Sequence, residues 1–182
     1  MCIRFSFYYF ISAINVLNRL SLSVVVVHGG GPRIKRELDK KKIVSKFING
    51  LRVTDKKIID TVEEVLIEFN KDIADSLKKL GCQAAMFHTK TDNIIEVEPE
   101  REELGFVGIP NKINDNLIQN ALNENKIPII APLGLGKNEQ TYNINGDTAA
   151  SAIAKKLKSR RLILMTNVEG VYDDQKKLIS EI

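Results

Sequence analysis

The stretch SVVVVHGGGPRIKREL, residues 23–38, sets four valines and a histidine before three consecutive glycines. Side chains branched at Cβ favour strands, and a continuous apolar run is typical of a strand buried on both faces, as in a parallel sheet. Glycines let another group approach the backbone closely. A helix starting near Pro32 would point its free N–H groups into the same space. On these residues alone, the turn is either a cradle for an anion or a tight corner between a strand and a helix.

Strand and helix patterns alternate along the rest of the chain. Apolar residues recur every three or four positions from Thr54 to Gly81, which predicts a long helix with Thr54 as N-cap and Gly81 as its stop. Shorter helices are predicted over NDNLIQNALNENK and NGDTAASAIAKKLKS, buried strands over CQAAMF, IPIIAPLG and RLILMT, and a polar hairpin excursion with strands at 94–97 and 104–107. This order predicts an α/β fold, a mainly parallel sheet sandwiched by helices, with ligands beyond the carboxyl ends of the strands.

Composition and charge exclude two classes of function. The chain has 182 residues, of which 43% are hydrophobic and 27% charged, which is typical of a globular protein and not of a membrane protein. The net charge is +4, but five of the 27 basic residues lie in residues 1–36, which contain no acidic residue. The remainder carries 22 basic and 23 acidic residues and is therefore neutral. No basic stripe with interleaved aromatics is present, so we expect no nucleic-acid partner and no membrane partner.

Cysteines, histidines and the N-terminus indicate a cytoplasmic protein without a bound metal of its own. Cys2 and Cys82 are too few and too far apart for a disulfide framework or a zinc site. His28 and His88 have no metal-ligand pattern around them, so we predict no metal-binding residues. The apolar start of the chain is too short to span a bilayer, and no clear cleavage site follows it.

Polar loops follow the strands, and four residues in them are candidates for ligand binding. Arg52 stands alone in NGLRVTD, and its guanidinium suits a carboxylate, although it is equally compatible with a solvated surface position. Asn143 and Asn145 alternate in YNINGD, so they would face the same side of an extended segment. Asp147 follows directly and is either functional or a helix N-cap.

The motifs HGGGP, FINGLRVTD, ELGFVG, IPIIAPLG, YNINGDTAA and LILMTNVEGV occur in this order from about Leu22 to Ile182. In this arrangement the chain resembles the acetylglutamate kinases of the amino acid kinase family. The resemblance implies ATP-dependent phosphorylation of the side-chain carboxylate of N-acetyl-L-glutamate, on the route to arginine. It also implies ATP and Mg²⁺ as cofactors and a homo-oligomer of dimers or larger assemblies.

The resemblance assigns roles to residues of the matching motifs. Gly30 and Gly31 would contact the reacting carboxylate and the transferred phosphoryl group through their N–H groups, which favours the anion cradle at the opening turn. Arg52 would hold the α-carboxylate, Asn143 and Asn145 would bind the acetylated substrate, and Asp147 would organise catalytic lysines. The nucleotide pocket would be lined by Asn167, Val168, Glu169, Gly170, Val171 and Tyr172.

The sequence departs from the family pattern at several positions. Gly146 stands where the family usually has alanine, Asn167 where it usually has aspartate, and MFHTKTDN, residues 86–93, replaces a glycine-rich stretch. Residues 1–20 match no family motif, so we interpret 21–182 as a partial kinase domain, namely the substrate half and the start of the nucleotide half. The two charge-stabilising lysines of the family have no counterpart at matching places. We therefore expect the 182-residue chain by itself to be an inactive fragment.

Two alternatives remain open at this point. One is another member of the same family, acting on carbamate, aspartate, glutamate or a nucleotide. The other is a non-catalytic fragment that keeps the substrate cradle. A dinucleotide-dependent oxidoreductase is disfavoured, because the glycines are consecutive and do not follow the G-x-G-x-x-G spacing.

Overall fold

A computed structural model of the chain describes residues 2–165, Asp173 and Ile179, with side chains from Phe7 onward. Short 3₁₀ turns cover Glu102–Leu104 and Lys137–Glu139. The helices and strands are, in chain order, α1 (Cys2–Arg19), β1 (Val26–Val27), α2 (Gly31–Lys40), β2 (Phe47–Ile48), β3 (Leu51–Arg52), α3 (Lys56–Lys79), β4 (Ala84–Phe87), β5 (Ile95–Pro99), β6 (Gly108–Ile113), α4 (Asp115–Asn123), β7 (Ile127–Ile130), β8 (Leu133–Leu135), β9 (Thr141–Asn143) and α5 (Gly146–Lys156).

The strand β7 is the centre of a three-stranded parallel sheet, with β1 on one side and β4 on the other. Its Ile129 pairs with Val26 of β1 and with Met86 of β4. All four residues of β7 are buried, as expected for a strand covered on both faces. The α/β class and the strands predicted from CQAAMF and IPIIAPLG are confirmed, whereas β1 takes only the last two valines of its run.

Helices cover both faces of this sheet. Side chains alternate across the strands, so Ile129 packs with α1 and α3 in a cluster that includes Ile73 and Leu77. Ile130, the next residue, lies in a second cluster that includes Ile118 of α4 and Ile153 of α5. The predicted sandwich of helices around a parallel sheet is therefore confirmed.

A four-stranded sheet in the order β6-β5-β8-β9 lies beside the parallel sheet and is mostly antiparallel. The predicted hairpin excursion is present, but its second strand is β6 and not residues 104–107, of which 104 ends a 3₁₀ turn. The prediction ended before Pro110 because proline is rare in strands. Pro110 is tolerated in β6 because β6 is an edge strand.

The long helix α3 begins one residue later than predicted. Asp55 is its N-cap, and its Oδ1 accepts hydrogen bonds from the N–H groups of Lys57 and Ile58, both at 2.9 Å. Thr54, predicted as the N-cap, is instead fully buried in a bridge to Gly105. The predicted stop is confirmed, since Gly81 follows the helix with φ +83°.

The N-terminal helix α1 packs against α3. Ile11 and Ile14 are each 4% exposed, and the ring centroids of Phe7 and Phe69 are 5.9 Å apart. Four side chains of the segment that we separated from the kinase domain as residues 1–20, namely Phe7, Phe10, Ile11 and Ile14, thus pack in the described core. Among the described residues, no helix combines the length and the apolar character that a membrane crossing requires.

The prediction of a buried strand over RLILMT is wrong for residues 161–165. They form no regular structure and are exposed, with Ile163 at 73% and Met165 at 68%. An apolar run becomes a strand only where it finds a partner strand. Within the described part of the chain, β1 pairs only with β7, and residues 161–165 pair with no strand.

The contact of Gly105 with Thr54 yields a test of this packing. Gly105 has φ +67°, and a Cβ there would lie 2.5 Å from the Thr54 carbonyl oxygen, whereas Gly81 has φ +83° and open space around it. We predict that Gly81→Ala lowers the free energy of unfolding by about 1–2 kcal/mol through backbone strain. Gly105→Ala should lower it by at least about 1 kcal/mol more, because the methyl group also collides with backbone. Urea denaturation measures both, and equal losses would contradict the described docking of Gly105.

Candidate functional site

The glycine turn lies at the carboxyl end of β1 and starts α2. Gly30 is the N-cap of α2, and Pro32 lies in its first turn, as predicted. No described residue accepts a hydrogen bond from the N–H of Gly30 or Gly31. Free N–H groups at a helix N-terminus attract anions.

A second helix starts beside the same turn. A Cβ on Gly146, the first residue of α5, would lie 3.7 Å from Gly29 Cα and 3.8 Å from the His28 carbonyl oxygen, which is ordinary van der Waals contact. The alanine usual in the resembling family therefore fits here without a clash. Two helix N-termini thus converge on one space, which adds to its positive potential.

A cavity of about 190 Å³ lies between these N-termini and the β2–β3 hairpin. It brings together all five predicted substrate-binding residues, which are far apart in the sequence. They are Gly30, Gly31, Arg52, Asn143 and Asn145. The position of the cavity beyond the carboxyl end of β1 is the one expected for a ligand site in a parallel sheet.

Arg52 is buried without a carboxylate partner. Its side chain is 8% exposed, its guanidinium lies 4.7 Å from the ring centroid of Phe47, and its Nη1 donates a hydrogen bond to Ser45 Oγ. No described carboxylate lies within 4.0 Å of it. Burial lowers the pKa of Arg52, and the more distant Asp39 counteracts this shift. Because a buried charge is costly unless paired, the arrangement favours an anion that binds from outside.

Thr54, which the sequence indicated only as a helix N-cap, links the parts of the site. Its Oγ1 donates to the carbonyl oxygen of Arg52 at 2.9 Å, and its backbone pairs with Leu104 and Phe106 at 2.9 and 2.7 Å. The N–H of Asn143 donates to the Phe106 carbonyl oxygen at 2.9 Å. Thr54 therefore joins the backbone of Arg52 to the loop 104–106, and this loop in turn accepts a hydrogen bond from Asn143. The motif ELGFVG was the available signal, because its Gly105 permits this close approach.

Asn145 and Asp147 have different positions at the start of α5. Asn145 Oδ1 accepts hydrogen bonds from the N–H groups of Asp147 and Thr148, both at 3.0 Å, so Asn145 is the N-cap and the alternative of Asp147 as N-cap is wrong. Asp147 is exposed and does not line the cavity. Its role toward lysines stays a prediction.

Two other predictions concern the nucleotide and metals. The predicted nucleotide-binding residues, 167–172, lie outside the described residues. In the described part of the chain, no group of three His, Cys, Asp or Glu side chains is placed to hold a metal ion.

Comparisons with known proteins agree with this fold. The model of the amino acid kinase family matches residues 6–182. An acetylglutamate kinase from Pelagibacter ubique (strain HTCC1062) is 52% identical over 95% of this chain and 60% of its own length. One from Clostridioides difficile (strain 630) is 42% identical over 92% of this chain and 60% of its own length. The chain thus spans about 60% of these relatives.

A solved structure shows the same fold. The crystal structure of smu.665 from Streptococcus mutans UA159 has a TM-score of 0.84 and 32% identity, covering 90% of this chain and 68% of that one. The fold, the order of motifs and the matched family model lead to the same assignment. The chain belongs to the amino acid kinase family.

Proposed function

We propose that this chain forms the substrate-binding part of an acetylglutamate kinase, which transfers the γ-phosphoryl group of ATP to the side-chain carboxylate of N-acetyl-L-glutamate in arginine biosynthesis. The observation that carries the proposal is the cavity: on one side are N–H groups from which no described residue accepts, and on the other is the buried guanidinium of Arg52, which has no described carboxylate within 4.0 Å. A substrate with two carboxylates matches this cavity, which has the N–H donors of the glycine turn at one end and the Arg52 guanidinium at the other. The relatives from Pelagibacter ubique and Clostridioides difficile bear the name of this activity.

Arg52 and the two asparagines would orient the substrate. The guanidinium would bind the α-carboxylate in a bidentate manner, which adds directional specificity. The side chain of Asn143 lines the cavity, where its Nδ2 is 3.5 Å from Thr54 Oγ1. Asn145 uses its Oδ1 for capping, so its Nδ2 is the group available to an acetyl oxygen of the substrate.

The glycine turn would stabilise the charge that develops during transfer. An oxygen of the side-chain carboxylate attacks the γ-phosphorus of ATP, the bond from this phosphorus to its bridging oxygen breaks, and ADP leaves an acyl phosphate behind. Phosphoryl transfer depends mainly on positioning and electrostatic stabilisation. The N–H groups of Gly30 and Gly31 and the dipoles of α2 and α5 supply both on the substrate side.

ATP and Mg²⁺ belong to this proposal. The donors at the glycine turn are N–H groups, which suit phosphate oxygens and not a cation, so the described cavity fits the phosphoryl group. We propose that Mg²⁺ is held chiefly by phosphate oxygens of ATP, as is common for this ion. Asp147 would organise lysines that approach the phosphates, and residues 167–172 would contact the nucleotide.

Assembly and location are also proposed. We expect a homo-oligomer, a dimer or larger, and light scattering after size-exclusion chromatography measures it. We place the reaction in the cytoplasm, because two cysteines as far apart in the sequence as Cys2 and Cys82 do not suggest a disulfide framework, and because the reaction consumes ATP.

A panel of N-acetyl-L-glutamate, carbamate, aspartate and glutamate tests which acceptor is phosphorylated. Turnover with another acceptor alone would replace this proposal by a different kinase of the family.

We predict that Arg52→Lys raises the KM for N-acetyl-L-glutamate more than the KM for ATP. An ammonium group cannot reproduce the bidentate contact with a carboxylate, so the loss of binding should be about 1.5–3 kcal/mol. The measurement uses this chain extended at both ends with the corresponding residues of the Pelagibacter ubique relative. Arg19→Lys, a substitution at an exposed position of α1, is the control and should leave both KM values unchanged. An unchanged KM for the acid in Arg52→Lys would remove Arg52 from the site.

A second prediction separates an anion cradle from a tight corner. A Cβ on Gly31 meets no atom within 4 Å, and Gly31 does not have positive φ, so Gly31→Ala should fold with unchanged or slightly higher stability. In the cradle its methyl group would narrow the cavity, and affinity for N-acetyl-L-glutamate should fall by about tenfold or more.

Gly30→Ala is the contrasting variant. A Cβ there would lie 2.5 Å from Leu66 Cδ2, so the Leu66 side chain must move, and thermal stability should fall together with turnover. Thermal unfolding and calorimetry measure both variants. Normal binding by Gly31→Ala would favour the tight corner.

A further inference from the structure

His28 lies directly before the glycine turn and contacts it from the buried side. The side chain is 5% exposed. Its Nδ1 is 2.9 Å from the carbonyl oxygen of Gly29, and its Nε2 is 3.2 Å from Nδ2 of Asn70 on α3. His28 has no part in the phosphoryl transfer proposed above.

The partners of the ring determine its tautomer. A carbonyl oxygen only accepts, so Nδ1 must carry the proton that is donated to Gly29. Asn70 Nδ2 also lies 3.0 Å from the carbonyl oxygen of Ile129, which fixes this end of the amide as the nitrogen. An amide nitrogen only donates, so Nε2 of His28 accepts and carries no proton.

The contact with Gly29 determines where the next N–H points. The carbonyl of Gly29 and the N–H of Gly30 belong to one peptide unit, and no described peptide bond is cis. In a trans peptide these two groups point in opposite directions. Because His28 holds the carbonyl oxygen of Gly29, the Gly30 N–H points away from His28, and Gly30 lines the cavity.

We propose that His28 is a positioning residue, which uses its Nδ1–H to hold the Gly29–Gly30 peptide so that the Gly30 N–H faces the bound anion, while Asn70 selects the tautomer that can do so. This inference rests on the proposed function for the identity of the anion. It adds to that function a residue that touches neither substrate, and it assigns α3 a part in building the donor site.

The surroundings of His28 favour this arrangement. Burial lowers the pKa of His28 to about 4, the hydrogen bond to Gly29 opposes that shift, and the nearby Arg33 adds to it. The Arg33 guanidinium lies 3.9 Å from the centroid of the Phe69 ring and pairs with Asp72, and the centroids of the Phe69 and His28 rings are 5.1 Å apart. The ring is therefore neutral at pH 7. Protonation would place an Nε2–H against the donating amide of Asn70.

Nuclear magnetic resonance tests the tautomer on the 182-residue chain. The ¹⁵N shifts of the two ring nitrogens differ strongly between protonated and unprotonated states. We expect Nδ1 of His28 to be protonated and Nε2 unprotonated from pH 7 down to about pH 5, as the lowered pKa requires. A protonated Nε2 at pH 7 would overturn the inference.

Two isosteric variants test the positioning role. The amide nitrogen of asparagine takes the place of Nδ1, and that of glutamine takes the place of Nε2. We expect His28→Asn to keep the amide shift of Gly30, and His28→Gln to change it. In the extended chain, the affinity for N-acetyl-L-glutamate should fall about tenfold or more in His28→Gln and stay within about threefold in His28→Asn.

The matched control is His88→Asn. His88 is also buried, its Nδ1 accepts from the Lys90 N–H at 3.3 Å, and it does not line the cavity, so neither readout should change. Equal Gly30 shifts and affinities in both His28 variants would overturn the inference. If the extended chain without any substitution binds no N-acetyl-L-glutamate, the proposed function fails, and the amide shifts of Gly30 still decide the positioning role. If His28→Gln does not fold, the wild-type tautomer and the His28→Asn variant decide it.

Discussion

The backbone pairing of β7 is the interaction on which the rest of the structure depends. Both other strands of the parallel sheet hydrogen-bond to β7, and its side chains enter the clusters on both faces. Beyond Ile130 the chain crosses directly into the second sheet, where the Ile144 N–H donates to the carbonyl oxygen of Pro132 at 2.9 Å. The His28 N–H donates to the Ile130 carbonyl oxygen at 3.3 Å, which fixes the glycine turn at the end of β7. The start of α5 follows Ile144 and therefore lies beside this turn. One strand thus positions both helix N-termini.

The electrostatics of the cavity follow from groups that the fold leaves unsatisfied. N–H groups of the first turn of a helix have no partner within that helix, and those of Gly30 and Gly31 have none elsewhere among the described residues. Arg52 adds a full charge that is largely buried, and its contacts among the described residues are a hydroxyl and an aromatic ring, with no carboxylate within 4.0 Å. The surrounding packing keeps these donors buried without an anionic partner, which raises the free energy of the empty site. A bound anion pairs with the donors and lowers that free energy.

Local patterns sufficed for much of the fold: the apolar period of α3 and the buried strands β4 and β7 followed from them. The grouping of Arg52 with the glycine turn came from the resemblance to the acetylglutamate kinases. The misses arose where long-range contacts decide. Thr54 and Asp55 are both good caps, and only the pairing of Thr54 with Gly105 leaves the cap to Asp55. No sequence pattern shows that residues 161–165 have no partner strand in the described part of the chain.

The network around Thr54 couples the cavity to the second sheet. Thr54 contacts the backbone of Arg52, the loop 104–106 and, weakly, the side chain of Asn143. A ligand that binds only when this loop is docked stabilises the docked loop, and by reciprocity the docked loop strengthens binding by the same free energy. The amide protons of Phe106, in this loop, and of Asn143, in β9, would then exchange more slowly in the bound state. The hairpin formed by β5 and β6 carries this loop, so its docking against Thr54 contributes to the free energy of ligand binding.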